Sequence, residues 1–300
     1  MNTTIDLPDL NEFLTFDKEK IKNFCSYNNI TTSYLPVDGT RRHFILFNSN
    51  VSSWNEENLK DYYKHVNNNF QGIISLFFDF GIKNLIILLM DKSAFTRGQT
   101  FLKETISNGI KPLFEDQTYL DLYESYNIDV YFSGFTSVYN TYYDEEVLKD
   151  LEENFGKLKK YNGERKLIVY TGLSPSEDYL LLEQYAQDLR RKEIPLTKKN
   201  LIERIYQTDL PKIDFTIWFG FPRDKIIPPL LWEDGINFYI KNPTLTLKPA
   251  QIKKAIYYTA LSKDSIKDKY IFHSFTEEEK INELQQILES DSIMGQEYYH

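Results

Sequence analysis

Short apolar segments alternate with longer segments of helical pattern along most of the chain, and this alternation most constrains the fold. The segment 84–90 is continuously apolar after its first residue, as is typical of a parallel strand buried on both faces. A helix is predicted before it, over 59–80, with Gly81 placed to end that helix. Strands separated by helices indicate an α/β protein with a central, mostly parallel sheet flanked by helices.

The same periodicity predicts the other elements. Helices are expected near 17–28, within 92–126, and near 144–160, 198–207, 249–262 and 276–290, with a further helix opening at 175 behind the capping residue Ser174. Strands are expected at 31–37, 43–47, 84–90, 128–133, 166–170, 213–218 and 236–240, and a loop at 48–57. We expect a single α/β domain over 1–300, with an N-terminal helical extension at 1–30 and a C-terminal helical tail at 263–300.

Composition excludes several classes of protein. With 300 residues, 41% of them hydrophobic, the chain can bury a core without metal or disulfide support. The single cysteine, Cys25, excludes an internal disulfide framework. A net charge of −9 argues against a nucleic-acid-binding surface. No apolar run approaches the ~20 residues of a membrane span, and no signal-peptide pattern is visible. We therefore predict a cytoplasmic protein without an integral membrane segment.

Functional residues are expected just after the strands, because ligands of parallel α/β sheets bind beyond the carboxyl ends of the strands. After the first strand come Asp38, Gly39, Arg41 and Arg42. Glycine permits close approach of a ligand to the backbone, arginine binds phosphate through two donors, and aspartate is a ligand for Mg²⁺. The alternative is a β-hairpin, since Asp-Gly is also a strong hairpin turn signal. Both interpretations remain open from the spacing alone.

Other post-strand segments add positive charge. Lys92 and Arg97 follow the third predicted strand, and Arg223 and Lys225 follow the strand at 213–218. Each alone is typical of a solvated loop, but together they would form a site suited to a small polyanion such as a diphosphate. Tyr62 and its neighbour Tyr63, on the helix at 59–80, are either packing residues or phenols that exchange a proton. The aromatic content of 15% likewise favours an aromatic core or a pocket for an apolar or cationic ligand.

The ordered set of motifs resembles the cis-prenyltransferase fold, and within it most closely a divergent branch, the tuberculosinyl-adenosine transferase or tuberculosinol synthase family. The resemblance covers most of residues 31–262. It rests on Asp38-Gly39-Thr40-Arg41-Arg42 followed by His43-Phe44, and on Asp61-Tyr62, Gly81-Ile82, Arg97-Gly98, Ile217–Gly220, Pro229-Leu230-Leu231 and Tyr239.

The resemblance implies an enzyme that ionises an allylic, diterpenyl diphosphate and transfers the cation to adenosine or to water. It implies Mg²⁺ as cofactor, held by Asp38, and a homodimer. Asp38 and Tyr62 would be catalytic, and Gly39, Thr40, Arg41, Arg42 and Arg97 would bind the diphosphate. The apolar pocket would be lined by Phe95, Phe101, Trp218 and Phe219.

Departures from the family patterns are also present. Phe101 stands where the branch has a second pocket tyrosine. Chain-elongating cis-prenyltransferases hold isopentenyl diphosphate with an arginine and a carboxylate, where this chain has Trp218 and Asn237. A second diphosphate site is therefore expected to be absent, the alternative being that Arg223 and Lys225 rebuild it from a shifted loop. The alternatives are a chain-elongating cis-prenyltransferase and a non-catalytic partner subunit of one.

Overall fold

A single parallel sheet organises the computed structural model, which describes residues 7–48, 56–90, 97–133, 145–171, 175–220 and 227–267. Its six strands lie in the order β3-β4-β2-β1-β5-β6, and every neighbouring pair is parallel. The strands are β1 (Thr32–Pro36), β2 (Asn84–Met90), β3 (Ile128–Ser133), β4 (Arg165–Thr171), β5 (Phe215–Phe219) and β6 (Ile236–Ile240). The predicted α/β architecture with a mostly parallel sheet is confirmed.

Helices connect the strands and cover both faces of the sheet. They are α1 (Leu10–Thr15), α2 (Lys18–Tyr27), α3 (Thr40–Phe47), α4 (Glu56–Asp79), α5 (Gln99–Glu104), a π-helical segment (Thr105–Ile110), α6 (Pro112–Glu115), α7 (Gln117–Tyr126), α8 (Glu145–Lys157), α9 (Pro175–Arg191), α10 (Lys198–Tyr206), a 3₁₀ turn (Thr244–Thr246) and α11 (Pro249–Lys267). Within the described ranges, no helix is both long enough and apolar enough to cross a bilayer. Ser174 and the helix predicted at 276–290 lie outside the described residues.

The core has two layers because successive strand residues point to opposite faces of the sheet. Leu35 and Ile87 face the layer formed with α4, α7 and α11, whereas Tyr34 and Ile86 face the layer formed with α9 and α10. Burial on both faces explains the continuously apolar β2. The layers leave the carboxyl-terminal edge of the sheet to be covered by α3, α4 and the segments beside them.

The prediction of a strand at 43–47 is wrong, because these residues belong to helix α3. Gly39 adopts φ of +71° and places the chain in a helical turn, so the Asp-Gly pair does not form a hairpin. The buried residues of α3 are Thr40, His43 and Phe44, a spacing of three and four that faces α4. The apolar residues that suggested a strand, Ile45 to Phe47, are exposed. The predicted loop at 48–57 also ends early, since α4 begins at Glu56.

Candidate functional site

A cleft of about 460 Å³ opens at the carboxyl-terminal edge of the sheet, beyond β1 and β2. Charged residues that include Asp38, Arg42 and Arg97 are exposed at its mouth, and apolar side chains line its inner part. The full lining comprises Pro36, Val37, Asp38, Gly39, Thr40, Arg41, Arg42, Tyr62, Tyr63, Val66, Asn67, Phe70, Leu88, Leu89, Met90, Arg97, Phe101, Thr105, Gly109, Ile110, Leu113 and Trp218. The cleft therefore suits a ligand with an anionic head and an apolar body.

Asp38 lies between β1 and α3, and its backbone is tied to a distant segment. Its N–H donates to Thr244 Oγ1 at 2.9 Å, and its carbonyl accepts from the Thr244 N–H at 3.0 Å. The carboxylate Oδ1 accepts from the Gly39 N–H at 2.6 Å. The other oxygen, Oδ2, lies beside Gly220, where an added Cβ would be 3.6 Å from it and 3.7 Å from Arg42 Nη2. The missing side chain at Gly220 thus leaves room between the carboxylate and the guanidinium.

The amino terminus of α3 faces the cleft without a side-chain cap. The first intrahelical bond runs from the His43 N–H to the Gly39 carbonyl, at 2.9 Å. Within the described chain, the preceding N–H groups of Thr40, Arg41 and Arg42 have no protein acceptor. Such N–H groups and the helix dipole favour a bound anion. An alanine at 39 would require φ of +71° and place its Cβ 3.1 Å from Pro243, so glycine is needed at this turn.

Three arginines surround the same end of the cleft. No described carboxylate forms an ion pair with Arg41 or Arg42. The guanidinium carbons of Arg41 and Arg97 lie 5.9 and 5.1 Å from the centre of the Phe101 ring. Cation–π contacts with one ring orient both cations toward the cleft. The structure therefore brings together Asp38, Gly39, Thr40, Arg41, Arg42, Tyr62, Arg97 and Phe101, all of which were singled out from the sequence.

Two neighbouring tyrosines form the wall that α4 contributes. The Tyr62 hydroxyl lies 2.6 Å from Thr40 Oγ1. The Tyr63 hydroxyl donates to Thr105 Oγ1, since the Thr105 proton is used on the Phe101 carbonyl at 2.8 Å. Burial raises the pKa of both phenols above the usual value of 10.0. Tyr62 therefore remains protonated at neutral pH and is a poor general base.

The remaining predicted pocket residues differ in position. Trp218 lines the cleft, whereas Phe219 is fully buried in the core layer formed with α4 and is not among the lining residues. Trp218 Nε1 donates to Asn237 Oδ1 at 2.7 Å. Phe95, Lys92, Arg223 and Lys225 lie outside the described residues.

The cleft offers few donors for the predicted Mg²⁺ ion. Asp38 is the one carboxylate among the described lining residues. The described chain contains no group of three or more His, Cys, Asp and Glu side chains able to enclose a metal ion. Mg²⁺ is commonly bound by one or two carboxylates together with substrate phosphate oxygens. Asp38 therefore fits Mg²⁺ that arrives with a diphosphate, and does not fit a metal held by protein ligands alone.

Sequence reasoning missed two parts of the site. The first is Thr244, which lies 206 residues from Asp38 and has no recognisable motif. The second is the π-helical segment Thr105–Ile110, whose Gly109 accommodates the Tyr63 ring at the inner end of the cleft. A Cβ at Gly109 would lie 3.0 Å from that ring. The glycine is visible in the sequence, but its contact is not.

A histidine pair beside the site leads to a pH prediction. His43 Nδ1 and His65 Nε2 are hydrogen-bonded at 2.9 Å, which requires at least one neutral ring. Burial lowers the pKa of both, and each lies below the unfolded value of about 6.5. Below that pH the two histidines bind protons in the unfolded chain more readily than in the folded one, so the protein loses stability on acidification.

We expect the melting temperature to fall between pH 7.5 and 5.5, and to fall more in the wild type than in the double variant His43→Asn/His65→Gln. The amides of that variant keep the hydrogen bond without titrating. Equal falls in both proteins would contradict this assignment.

Comparisons with known proteins identify the fold. No protein-family model matches the chain, and no curated protein matches its sequence. Lavandulyl diphosphate synthase from Lavandula x intermedia, solved in complex with dimethylallyl diphosphate, is 14% identical, with a TM-score of 0.51 over 77% of this chain and 94% of that one. A probable undecaprenyl diphosphate synthase from Campylobacter jejuni is also 14% identical, with a TM-score of 0.49 over 77% of this chain and 95% of that one. The parallel sheet and its flanking helices thus form an α/β fold of the cis-prenyltransferase type.

Proposed function

We propose that the protein is an enzyme that binds an allylic, terpenyl diphosphate, ionises it and transfers the terpenyl cation to a neutral acceptor, either water or a nucleoside such as adenosine. The observation that carries this proposal is the division of the cleft. Arg41, Arg42 and the uncapped turn of α3 lie at its mouth, and buried apolar side chains line its inner part. A protein of the same fold binds dimethylallyl diphosphate, itself an allylic diphosphate, which supports this substrate class.

In the proposed reaction, the guanidinium groups and the N–H groups of α3 hold the diphosphate. The allylic C–O bond breaks, and its electron pair leaves with the diphosphate oxygen. The fixed cations stabilise the charge that develops on this leaving group, which is the main contribution expected from the protein. Asp38 would hold an Mg²⁺ ion that arrives with the substrate, and such an ion would supply further neutralisation of the leaving group's charge.

The fate of the cation depends on the groups around it. The acceptor adds to the cation and loses a proton, and Asp38 is the carboxylate that the described cleft offers to receive it. The Tyr63 hydroxyl is bonded to Thr105, and the Asn67 amide donates to the Asn108 carbonyl and accepts from the Tyr119 hydroxyl. These polar atoms are therefore occupied, and the inner part of the cleft presents mainly apolar surface. A water-poor interior protects the cation from premature capture. Entry of water or of a nucleoside at the mouth would decide between alcohol and transfer product.

A chain-elongating prenyltransferase is the competing function, and it needs a second diphosphate site. Trp218 and Asn237, at the positions that the resemblance assigns to such a site, form a hydrogen-bonded neutral pair. A Trp side chain supplies one donor and no charge, and a bonded amide cannot replace a carboxylate on Mg²⁺. These two positions therefore disfavour isopentenyl diphosphate as second substrate. A non-catalytic subunit is disfavoured by the retained Asp38, Arg41 and Arg42.

The experiment supplies allylic diphosphates together with labelled isopentenyl diphosphate. Farnesyl, geranylgeranyl and a cyclised diterpenyl diphosphate are each incubated with the protein and Mg²⁺, with and without adenosine. We expect release of inorganic diphosphate and formation of a terpene alcohol or a terpenyl nucleoside without label, as read by mass spectrometry. Label in five-carbon increments would establish the elongating function instead. Absence of both turnover and diphosphate binding would reject the proposed function.

A further inference from the structure

Helices α3 and α4 are joined by two side-chain hydrogen bonds with matched spacing. Thr40 bonds to Tyr62 at 2.6 Å, and His43 bonds to His65 at 2.9 Å. The partners are three residues apart on each helix, so they lie on one face of each. The Phe44 ring packs between the two bonds, 5.7 Å from the Tyr62 ring and 5.5 Å from the His65 ring. The faces of the two helices are thereby held in one register.

The two helices differ in what else holds them. Helix α4 has 24 residues, and its Ile74, Phe77 and Phe78 are fully buried against the sheet. Helix α3 has eight residues, and Leu46 and Phe47 on its outer side are 71% and 68% exposed. A helix this short is marginal without tertiary contacts. The position of α3 therefore depends on tertiary contacts, which it makes with α4 and with the 3₁₀ turn Thr244–Thr246.

The Thr40–Tyr62 bond lies at the functional end of α3. Thr40 is the first residue of the helix, directly before Arg41 and Arg42 and within the turn whose N–H groups have no described acceptor. A shift of this turn moves both the N–H groups and the two guanidinium groups. The Tyr62 hydroxyl, which is buried, is already engaged by Thr40. Through this hydrogen bond Tyr62 can hold the first turn of α3 in place without exchanging a proton with a substrate.

We propose that Tyr62 is a positioning residue, whose hydroxyl holds Thr40 and thereby the first turn of α3 in the geometry that binds a diphosphate. This inference rests on the proposed function, because it assumes that the α3 turn receives a diphosphate. It differs from the expectation drawn from the resemblance, in which Tyr62 is catalytic. The two roles predict different kinetic consequences when the hydroxyl is removed.

The test measures binding of inorganic diphosphate by calorimetry, and steady-state turnover of whichever allylic diphosphate is active. The variants are Tyr62→Phe, Thr40→Val and the two combined. Since loss of one such hydrogen bond costs a factor of roughly three to ten, we expect each single variant to weaken diphosphate binding and raise KM by about that factor. The double variant should bind no more weakly than either single, because both remove the same bond. Because the same turn stabilises the leaving diphosphate, we expect kcat to fall by no more than a similar factor, and its pH profile to stay unchanged because no proton-exchanging group is removed.

Three controls make the result specific. Thr40→Ser keeps the hydroxyl and should restore wild-type binding. Tyr206→Phe removes the hydroxyl of another buried tyrosine, which donates to the Pro229 carbonyl at 2.8 Å in the core layer formed with α9 and α10. This variant should not alter diphosphate binding. Thermal unfolding shows whether each variant is folded, and if Tyr62→Phe is not, Thr40→Val must by itself weaken binding for the proposal to stand.

Several outcomes would overturn the proposal, and they separate it from the proposed function. A fall in kcat of more than about a hundredfold in Tyr62→Phe, with binding retained, would make Tyr62 a catalytic residue. Additive losses in the double variant, or unchanged binding in both singles, would show that the bond does not position the turn. If the wild-type protein binds no inorganic diphosphate and turns over no allylic diphosphate, the proposed function itself is wrong and the inference falls with it.

Discussion

Replacing both Arg41 and Arg42 by alanine is expected to remove almost all binding of a diphosphate. The two side chains belong to the first turn of α3, and no described carboxylate is paired with either. A charge-assisted hydrogen bond contributes about 1.5–3 kcal/mol, so each single substitution should lower kcat/KM by roughly tenfold to a hundredfold. The double variant should lose more than either single, which calorimetry with inorganic diphosphate and steady-state kinetics would both measure.

The matched controls separate charge from geometry. Arg190→Ala removes an exposed arginine from α9, away from the cleft, and should leave diphosphate binding unchanged. Arg41→Lys keeps the charge but loses the planar fork, so an intermediate loss is expected. Wild-type affinity in the double alanine variant would exclude these residues from the binding site.

Asp214→Ala is expected to destabilise the fold by about 3–5 kcal/mol, the cost of removing one partner from a buried ion pair. Its side chain is 5% exposed and pairs with Lys263 at 2.6 Å. It also accepts from the N–H groups of Thr31 and Thr32, at 2.7 and 2.9 Å, where β1 begins. The substitution leaves these donors and the lysine without this acceptor. Because domains are stable by only about 5–15 kcal/mol, urea unfolding should show a large shift.

Asp234→Ala is the matched control for this effect. Asp234 pairs with Lys212 at the same distance of 2.6 Å, but both side chains are about half exposed. Exposed pairs contribute about 0–1 kcal/mol, so this variant should unfold near the wild-type midpoint. Equal losses from Asp214→Ala and Asp234→Ala would show that burial of the carboxylate is not the cause. The folded fraction of Asp214→Ala should still bind diphosphate, since Asp214 lies at the amino-terminal ends of the strands and the cleft lies at their carboxyl-terminal ends.

The strands were predictable because their signal is local. β2, β3 and β6 have the predicted bounds, and β1, β4 and β5 differ from them by one or two residues. Each is a short apolar run between residues that end regular structure, and burial on both faces makes the run continuous. The strand predicted at 43–47 failed for the same reason. A short apolar run such as Phe44–Phe47 fits a strand or a helix, and the turn at Gly39 together with contacts to α4 and the 3₁₀ turn selects the helix.

The residue types of the site were also predictable, whereas its assembly was not. Asp38, Arg41 and Arg42 are adjacent in the chain and carry recognisable chemistry. Their arrangement depends on the conformation of Gly39 and on Thr244, which is far away in sequence. Phe219, which the sequence placed in the pocket, is instead buried in the core layer formed with α4, and that burial is set by packing.

By itself, the sequence determined the α/β class, the parallel sheet and the group of basic residues beyond its first strand, because these depend on periodicity and residue type over a few positions. The tertiary structure decided that Asp38-Gly39 begins a helix, that Tyr62 contacts Thr40 rather than standing free in the cleft, and that Trp218 bonds to Asn237. Those outcomes depend on contacts between residues that are far apart in the sequence. A pattern over a few neighbouring residues contains no information about such contacts.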